Sequence, residues 1–268
     1  MKLNFSTTFW IDLVFEYAEH DLGELVYDHY EEKGESPFRE SAVKQLALQL
    51  LSALHFLHSR HIIHRDLKLS NLLYNHRGQL KLIDFGLART AHTECYVNEY
   101  VTPHSKLTPN VTSLRYRSPE VLFRCDIYSS PIDLWAVGLI IAELLLGKPI
   151  LNGRTEMDQI REMFLLMGYP SFEIWPALKD LEISFDKSYP FQYAKHDSTK
   201  QEPTKAFIDK LKNTISSTNG FFLILNLLQY NPSKRSTAAE ALNSLYFSDH
   251  PVPINPKLMP TFRSKRNK

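Results

Sequence analysis

Asp66, Asn71 and Asp84 stand five and thirteen residues apart, with Lys68 between the first two. Carboxylate and amide oxygens are hard donors that suit a cation such as Mg²⁺. The same residue types are common turn formers, so three turns around a hairpin is the plain alternative. A metal-dependent hydrolase built on Asp66 and Asp84 is a further option, but it leaves Lys68 without a task.

The elements that must position these residues can be read from the pattern on either side. Asn71-Leu72-Leu73-Tyr74 and Leu80-Lys81-Leu82-Ile83 are short apolar runs flanking Asn75-His76-Arg77-Gly78, a hairpin with its glycine placed for the turn. Upstream, residues 10–17 are mostly apolar, β-branched or aromatic and predict a strand. Ser36-Pro37 predicts a helix start, serine as N-cap and proline at the first helical position. Val43, Leu46, Ala47, Leu50, Leu51, Leu54 and Leu57 then form the stripe of an amphipathic helix. Downstream, residues 84–120 show no clear periodicity and predict a long loop, a type of segment often functional. Residues 132–146 are nearly all apolar and predict a buried helix. Asp133 inside that run must be tied to nearby backbone N–H groups, because a buried carboxylate is costly otherwise. Residues 219–230 predict a second core helix, and residues 169–204 give a mixed pattern.

Composition excludes several classes. The chain has 268 residues, 43% of them hydrophobic and 23% charged, an ordinary globular make-up. Its 31 Lys+Arg against 30 Asp+Glu argue against nucleic acid as a chain-wide partner. No stretch of about 18 apolar residues occurs, so no membrane span is expected. Cys95 and Cys125 form no C-x-x-C pair, which points to a reducing intracellular setting, nucleus or cytoplasm undecided. The nine glycines are never closer than six residues apart, so no G-x-G phosphate loop exists. The basic end, residues 263–268, reads as a solvated terminus, with a nuclear signal or a nucleic-acid contact as the alternative.

His64-Arg65-Asp66-Leu67-Lys68-Leu69-Ser70-Asn71, Asp84-Phe85-Gly86 and Ser118-Pro119-Glu120 together resemble the H-R-D-L-K-x-x-N, D-F-G and A-P-E motifs of protein kinases. Thr112-Ser113-Leu114-Arg115-Tyr116-Arg117-Ser118-Pro119-Glu120 is similar to the T-L-W-Y-R-A-P-E run of cyclin-dependent kinases, with Arg115 where tryptophan is usual. Leu258-Met259-Pro260-Thr261-Phe262 resembles the ends of the PITSLRE-type branch.

The resemblance implies an α+β, protein kinase-like fold: mainly the α-helical large lobe with short β-hairpins, the small lobe largely absent. Residues 1–22 would be a small-lobe remnant strand and hinge. Residues 23–247 would be the large lobe, with a catalytic loop at 64–71 and an activation segment at 84–120, and residues 248–268 a C-terminal tail. It implies a serine/threonine kinase moving the ATP γ-phosphate to a protein hydroxyl, proline-directed. Asp66 would orient the hydroxyl proton, Lys68 would sit near the transferred phosphate, and Asn71 and Asp84 would hold Mg²⁺. The backbone of Glu16 and Ala18 would bond adenine, Asp21 would face ribose, and Leu73 would form the floor under the base. Thr108, twelve residues before Glu120, would be the activating threonine, its phosphate pairing with Arg65 and Arg89. An unmodified threonine before Pro109 is the alternative. Asp133 opens a D-x-W-x-x-G run, and Glu120 and Arg235 match a buried ion pair of the family.

Only 14 residues precede Phe15, the expected gatekeeper, too few for a Gly-rich loop, a strand lysine and its helical glutamate. A cyclin is the partner the family implies, yet the helix that recognises it would be missing too. The expectation is therefore phosphate transfer far below that of a full-length relative. The alternative is a large-lobe module that binds substrates or partners without efficient transfer.

Overall fold

The computed structural model describes residues 14–90, 95–96, 114–123, 125, 127–179 and 203–263. Among these residues three pieces of very short sheet are pinned to a helical body. β1 (His20–Asp21) runs directly into α1 (Leu22–Lys33), because the Asp21 carboxylate accepts the Glu24 N–H at 3.0 Å and caps the helix. α2 (Glu40–His58) buries the striped face from Val43 to Leu57. It starts later than the Ser36-Pro37 signal suggests. The Ser36 hydroxyl instead donates to Leu144 O at 2.5 Å and accepts from Phe38 N, so it ties a turn to the body rather than capping a helix.

β2 (Ile62–Ile63) leads to the 64–71 loop, which closes in a 3-10 turn, Leu69–Asn71. β3 (Leu72–Tyr74) and β4 (Leu80–Leu82) form the expected antiparallel hairpin, and β1 adds to β3 with Asp21 opposite Leu73. Gly78 turns the hairpin at φ +72°; a Cβ there would lie 2.4 Å from the Met259 Cβ. β5 (Arg89–Thr90) pairs with β2, and β6 (Cys95–Tyr96) with β7 (Ile127–Tyr128), so the first part of the expected 84–120 loop carries two short strands, and its far end a 3-10 turn, Leu114–Tyr116.

The described part of the expected 10–17 strand, residues 14–17, lies in no ladder, and Val14 and Phe15 are exposed. Apolar content suggested a strand, but no described strand runs beside this stretch to pair with it.

After α3 (Pro119–Leu122), α4 (Pro131–Leu146) forms the centre, packed between α2 and α7 (Thr218–Leu227). Both core helices are therefore where the apolar runs place them. Gly138 allows that packing: a Cβ would sit 2.8 Å from Leu228 Cδ2. α5 (Glu156–Met167) and α6 (Lys205–Lys212) extend the body, and α8 (Ala238–Leu242) closes it against α2. Among the described residues, no helix is long and apolar enough to cross a membrane.

Candidate functional site

The site is built on the loop between β2 and β3, and that loop is hung from α4. Asp133 accepts the N–H groups of His64 at 2.9 Å and Arg65 at 3.0 Å, and His58 Nε2 lies 2.9 Å from the same carboxylate. The carboxylate in the apolar run is thus satisfied by backbone donors, as its burial requires. Arg65 takes a positive φ of 69°, uncommon for a residue with a Cβ; such backbone is kept where surrounding bonds over-determine it.

His64 ties the loop to the strand beyond. Its Nε2 donates to Ile83 O at 3.0 Å, and its Nδ1 accepts the Asp66 N–H at 3.3 Å. Its ring meets Phe85 edge-on at 5.0 Å. The Ile83 N–H returns to Asn71 O at 3.0 Å, so Asp84 begins immediately beyond the residue bonded to Asn71. Asp84 is itself left-handed, φ 63° and ψ 71°, and its Oδ1 accepts the Gly86 N–H.

Three of the expected chemical groups meet directly. Lys68 Nζ lies 2.7 Å from Asp66 Oδ2, and Asn71 Nδ2 donates to Asp66 O at 2.7 Å and to Oδ2 at 3.2 Å. Asp66 and Asn71 are buried. Both bonds of the Asn71 nitrogen go to Asp66, which leaves Oδ1 as the end of the amide that Asp66 does not use. Among the described residues no three His, Cys, Asp or Glu side chains gather as a metal cluster. Asn71 and Asp84 offer a different kind of donor, one amide oxygen and one carboxylate, hard oxygens of the type that suits Mg²⁺.

The other expected residues lie on the β1–β3 side. Glu16 pairs with Lys81 at 3.0 Å through its exposed side chain. Ala18 precedes β1, and Asp21 and Leu73 face each other in register. Glu19 accepts from His76 N and lies 2.6 Å from His76 Nδ1, binding the stretch before β1 to the hairpin turn.

Arg65 Nε donates to Leu87 O at 2.6 Å and Nη1 to the Tyr128 hydroxyl at 2.7 Å, so it already bridges the 84–90 segment to β7. Arg89 Nη1 donates to Ala88 O. Thr108 lies outside the described residues.

One cluster escaped the sequence reading. Glu143, the second acid in the apolar run of α4, accepts from Tyr116 at 2.5 Å and from Tyr27 at 3.4 Å. Arg115, the residue that departs from the usual tryptophan, donates to Tyr27 and Asn152. Burial, opposed by the Tyr116 bond and the Arg115 charge, pushes the Glu143 carboxyl up to about 7. The only signal in the sequence was an acid among apolar neighbours.

The protein kinase domain family matches residues 3–247. A probable cyclin-dependent kinase 10 of Dictyostelium discoideum is 41% identical over 252 residues, covering 94% of this chain and 62% of that protein. The crystal structure of the yeast RNA Pol II CTD kinase CTDK-1 complex superposes with TM-score 0.72 at 35% identity, over 91% of this chain and 73% of that one. The CAK complex of Chaetomium thermophilum bound to ATP-gamma-S gives TM-score 0.72 at 31% identity, over 91% and 69%. The chain spans 62% to 65% of the length of the first curated relatives it matches.

Proposed function

This chain belongs to the protein kinase family, and from that premise we propose that it is a serine/threonine kinase of the cyclin-dependent type. It moves the γ-phosphate of ATP to a protein Ser or Thr hydroxyl. The observation that carries the reading is the Asp66–Lys68–Asn71 constellation, with Asp66 and Asn71 buried and Lys68 half-buried, closed by hydrogen bonds of 2.7 Å.

Asp66 accepts or orients the hydroxyl proton, and Asn71 fixes its carboxylate. Lys68 brings a positive charge beside the transferred phosphate. Asn71 Oδ1 and Asp84 would hold Mg²⁺, which supplies neutralising charge to the phosphates. On the other side, the backbone of Glu16 and Ala18 takes adenine, Asp21 the ribose, and Leu73 the underside of the base.

The finer assignments follow the resemblance to cyclin-dependent kinases. The substrate hydroxyl precedes proline, and a cyclin is the activating partner. Phosphate on Thr108 draws Arg65 and Arg89 together. The likeness to a complex bound to ATP-gamma-S supports ATP as the donor.

The test is transfer of radiolabelled phosphate from MgATP to a Ser-Pro peptide, comparing the chain with Asp66→Asn. The expected result is Asp66-dependent incorporation, lowered by about 10²–10⁴ in the variant. Equal incorporation by both forms overturns the reading. Binding of MgATP with no incorporation by either form replaces it with a large-lobe module that does not transfer phosphate.

A further inference from the structure

Residues 248–263 run back across the body to the hairpin that carries Leu73. Lys44 Nζ donates to Asp249 O at 2.8 Å, and the Ile254 N–H to Ser41 O at 3.0 Å, so the segment is tied along α2. Met259 is buried over Gly78, the hairpin turn whose missing side chain makes room for it. The Tyr74 hydroxyl, its phenol pushed up to about 12 by burial and so a standing donor, then bonds Pro260 O at 2.6 Å.

The segment delivers Phe262 into a nest of three rings. It meets Phe38 at 5.5 Å, His20 at 6.0 Å and Tyr74 at 6.1 Å, each edge to face. His20 and Tyr74 are cross-strand partners, and the next pair along the ladder is Asp21 with Leu73. One ring from the far end of the chain therefore packs on both strands at the step beside the expected ribose and base contacts.

β1 has two residues. A ladder that short has almost no stability of its own, and its place is set by what packs on it. The backbone pairing fixes register along the strand. The Phe262 ring adds side-chain contact across the same pair, touching both His20 and Tyr74. Asp21 begins α1 through its N-cap bond, so a displacement of His20 is passed to the helix start as well.

We propose that Phe262 is a positioning residue for the nucleotide: it clamps β1 to β3 and so sets the spacing between Asp21 and Leu73. The proposal rests on the nucleotide-binding reading given above and extends it to a residue some 240 positions along the chain from Asp21. Phe262 touches no ligand itself; it acts through His20 and Tyr74.

The experiment is calorimetric titration of MgADP into the whole chain and its variants, with melting temperature recorded for each. Phe262→Ala is expected to weaken MgADP binding by about tenfold. Phe262→Tyr keeps the ring and restores the wild-type constant. Phe262→Leu keeps apolar bulk without ring edges and stands in between, and it decides the matter where the alanine form does not fold. Ile254→Ala removes apolar contact from the same segment away from His20 and Tyr74. It lowers the melting temperature and leaves the binding constant unchanged. A wild-type chain that binds MgADP while Phe262→Ala and Phe262→Leu bind it equally well overturns the proposal alone. The Glu19–His76 pair would then suffice to hold β1. A wild-type chain that binds no MgADP overturns the nucleotide reading and the proposal with it.

Discussion

The Asp133 carboxylate holds the first two N–H groups of the 64–71 loop at once, His64 on Oδ2 at 2.9 Å and Arg65 on Oδ1 at 3.0 Å. A side chain of α4 thereby fixes the backbone entering Asp66. Asparagine is nearly isosteric but brings an NH₂ to one of two places where an acceptor is required. Asp133→Asn leaves one buried N–H facing another donor, at a cost of about 1–3 kcal/mol. The expected outcome is a matching loss in urea denaturation, with amide exchange at His64 and Arg65 accelerated more than in α7. Unchanged protection of both amides would contradict this.

Glu143 ties stability to pH. Its carboxyl stands at about 7 in the fold against 4.5 as the reference, raised by burial, and its Oε1 has no hydrogen-bond partner among the described residues. Between those two values the folded form holds a proton that the unfolded chain has released. Stability from this group is therefore present below about pH 4.5 and is lost as pH climbs through about 7. The neighbours that face it are Tyr27, Tyr116 and Arg115. Glu143→Gln cannot ionise, so its stability relative to the wild type should improve by about 3 kcal/mol from acid to pH 8. Melting curves of both forms from pH 5 to 8 check this, and a constant difference between them rules it out.

The loop and hairpin were legible because their chemistry is local. Two apolar runs around a glycine turn announce the hairpin, and the loop before it was legible through its resemblance to the H-R-D-L-K-x-x-N motif of protein kinases. Asp133 was legible for a thermodynamic reason, since a carboxylate in an apolar helix must find N–H donors; which donors, those of residues 64 and 65, only the fold shows. The failures have equally specific causes. Ser36 has the look of an N-cap, but a hydroxyl can serve a distant carbonyl as well as its own helix, and Leu144 O won. Residues 14–17 have strand-like side chains, but a strand exists only where a second backbone pairs with it. Glu143 went unseen because its partners, Tyr27 and Tyr116, lie 116 and 27 residues away. Phe262 belongs in the sequence only to the Leu258–Phe262 run, since no local pattern announces three rings gathered from residues 20, 38 and 74.

Arg235 and Glu120 make the most enclosed ion pair among the described residues, Nη1 to Oε1 at 2.7 Å and Nη2 to Oε2 at 2.9 Å, with both side chains almost wholly buried. The guanidinium also donates to Pro131 O and Gln229 O, so it links α3, the start of α4 and the turn after α7. Taking away one partner strands a charge out of water. Glu120→Ala should cost about 3–5 kcal/mol, because Arg235 is left buried with carbonyls alone. Arg235→Ala should cost at least as much, since it also leaves those carbonyls short of a donor. The informative form is Glu120→Leu with Arg235→Met. If the single variants are costly mainly because each strands a charge, the double variant recovers a good part of the loss. Urea denaturation of the three forms decides it: a double variant as unstable as the sum of the singles would mean that the carbonyl contacts, and not the uncompensated charge, hold this corner of the fold.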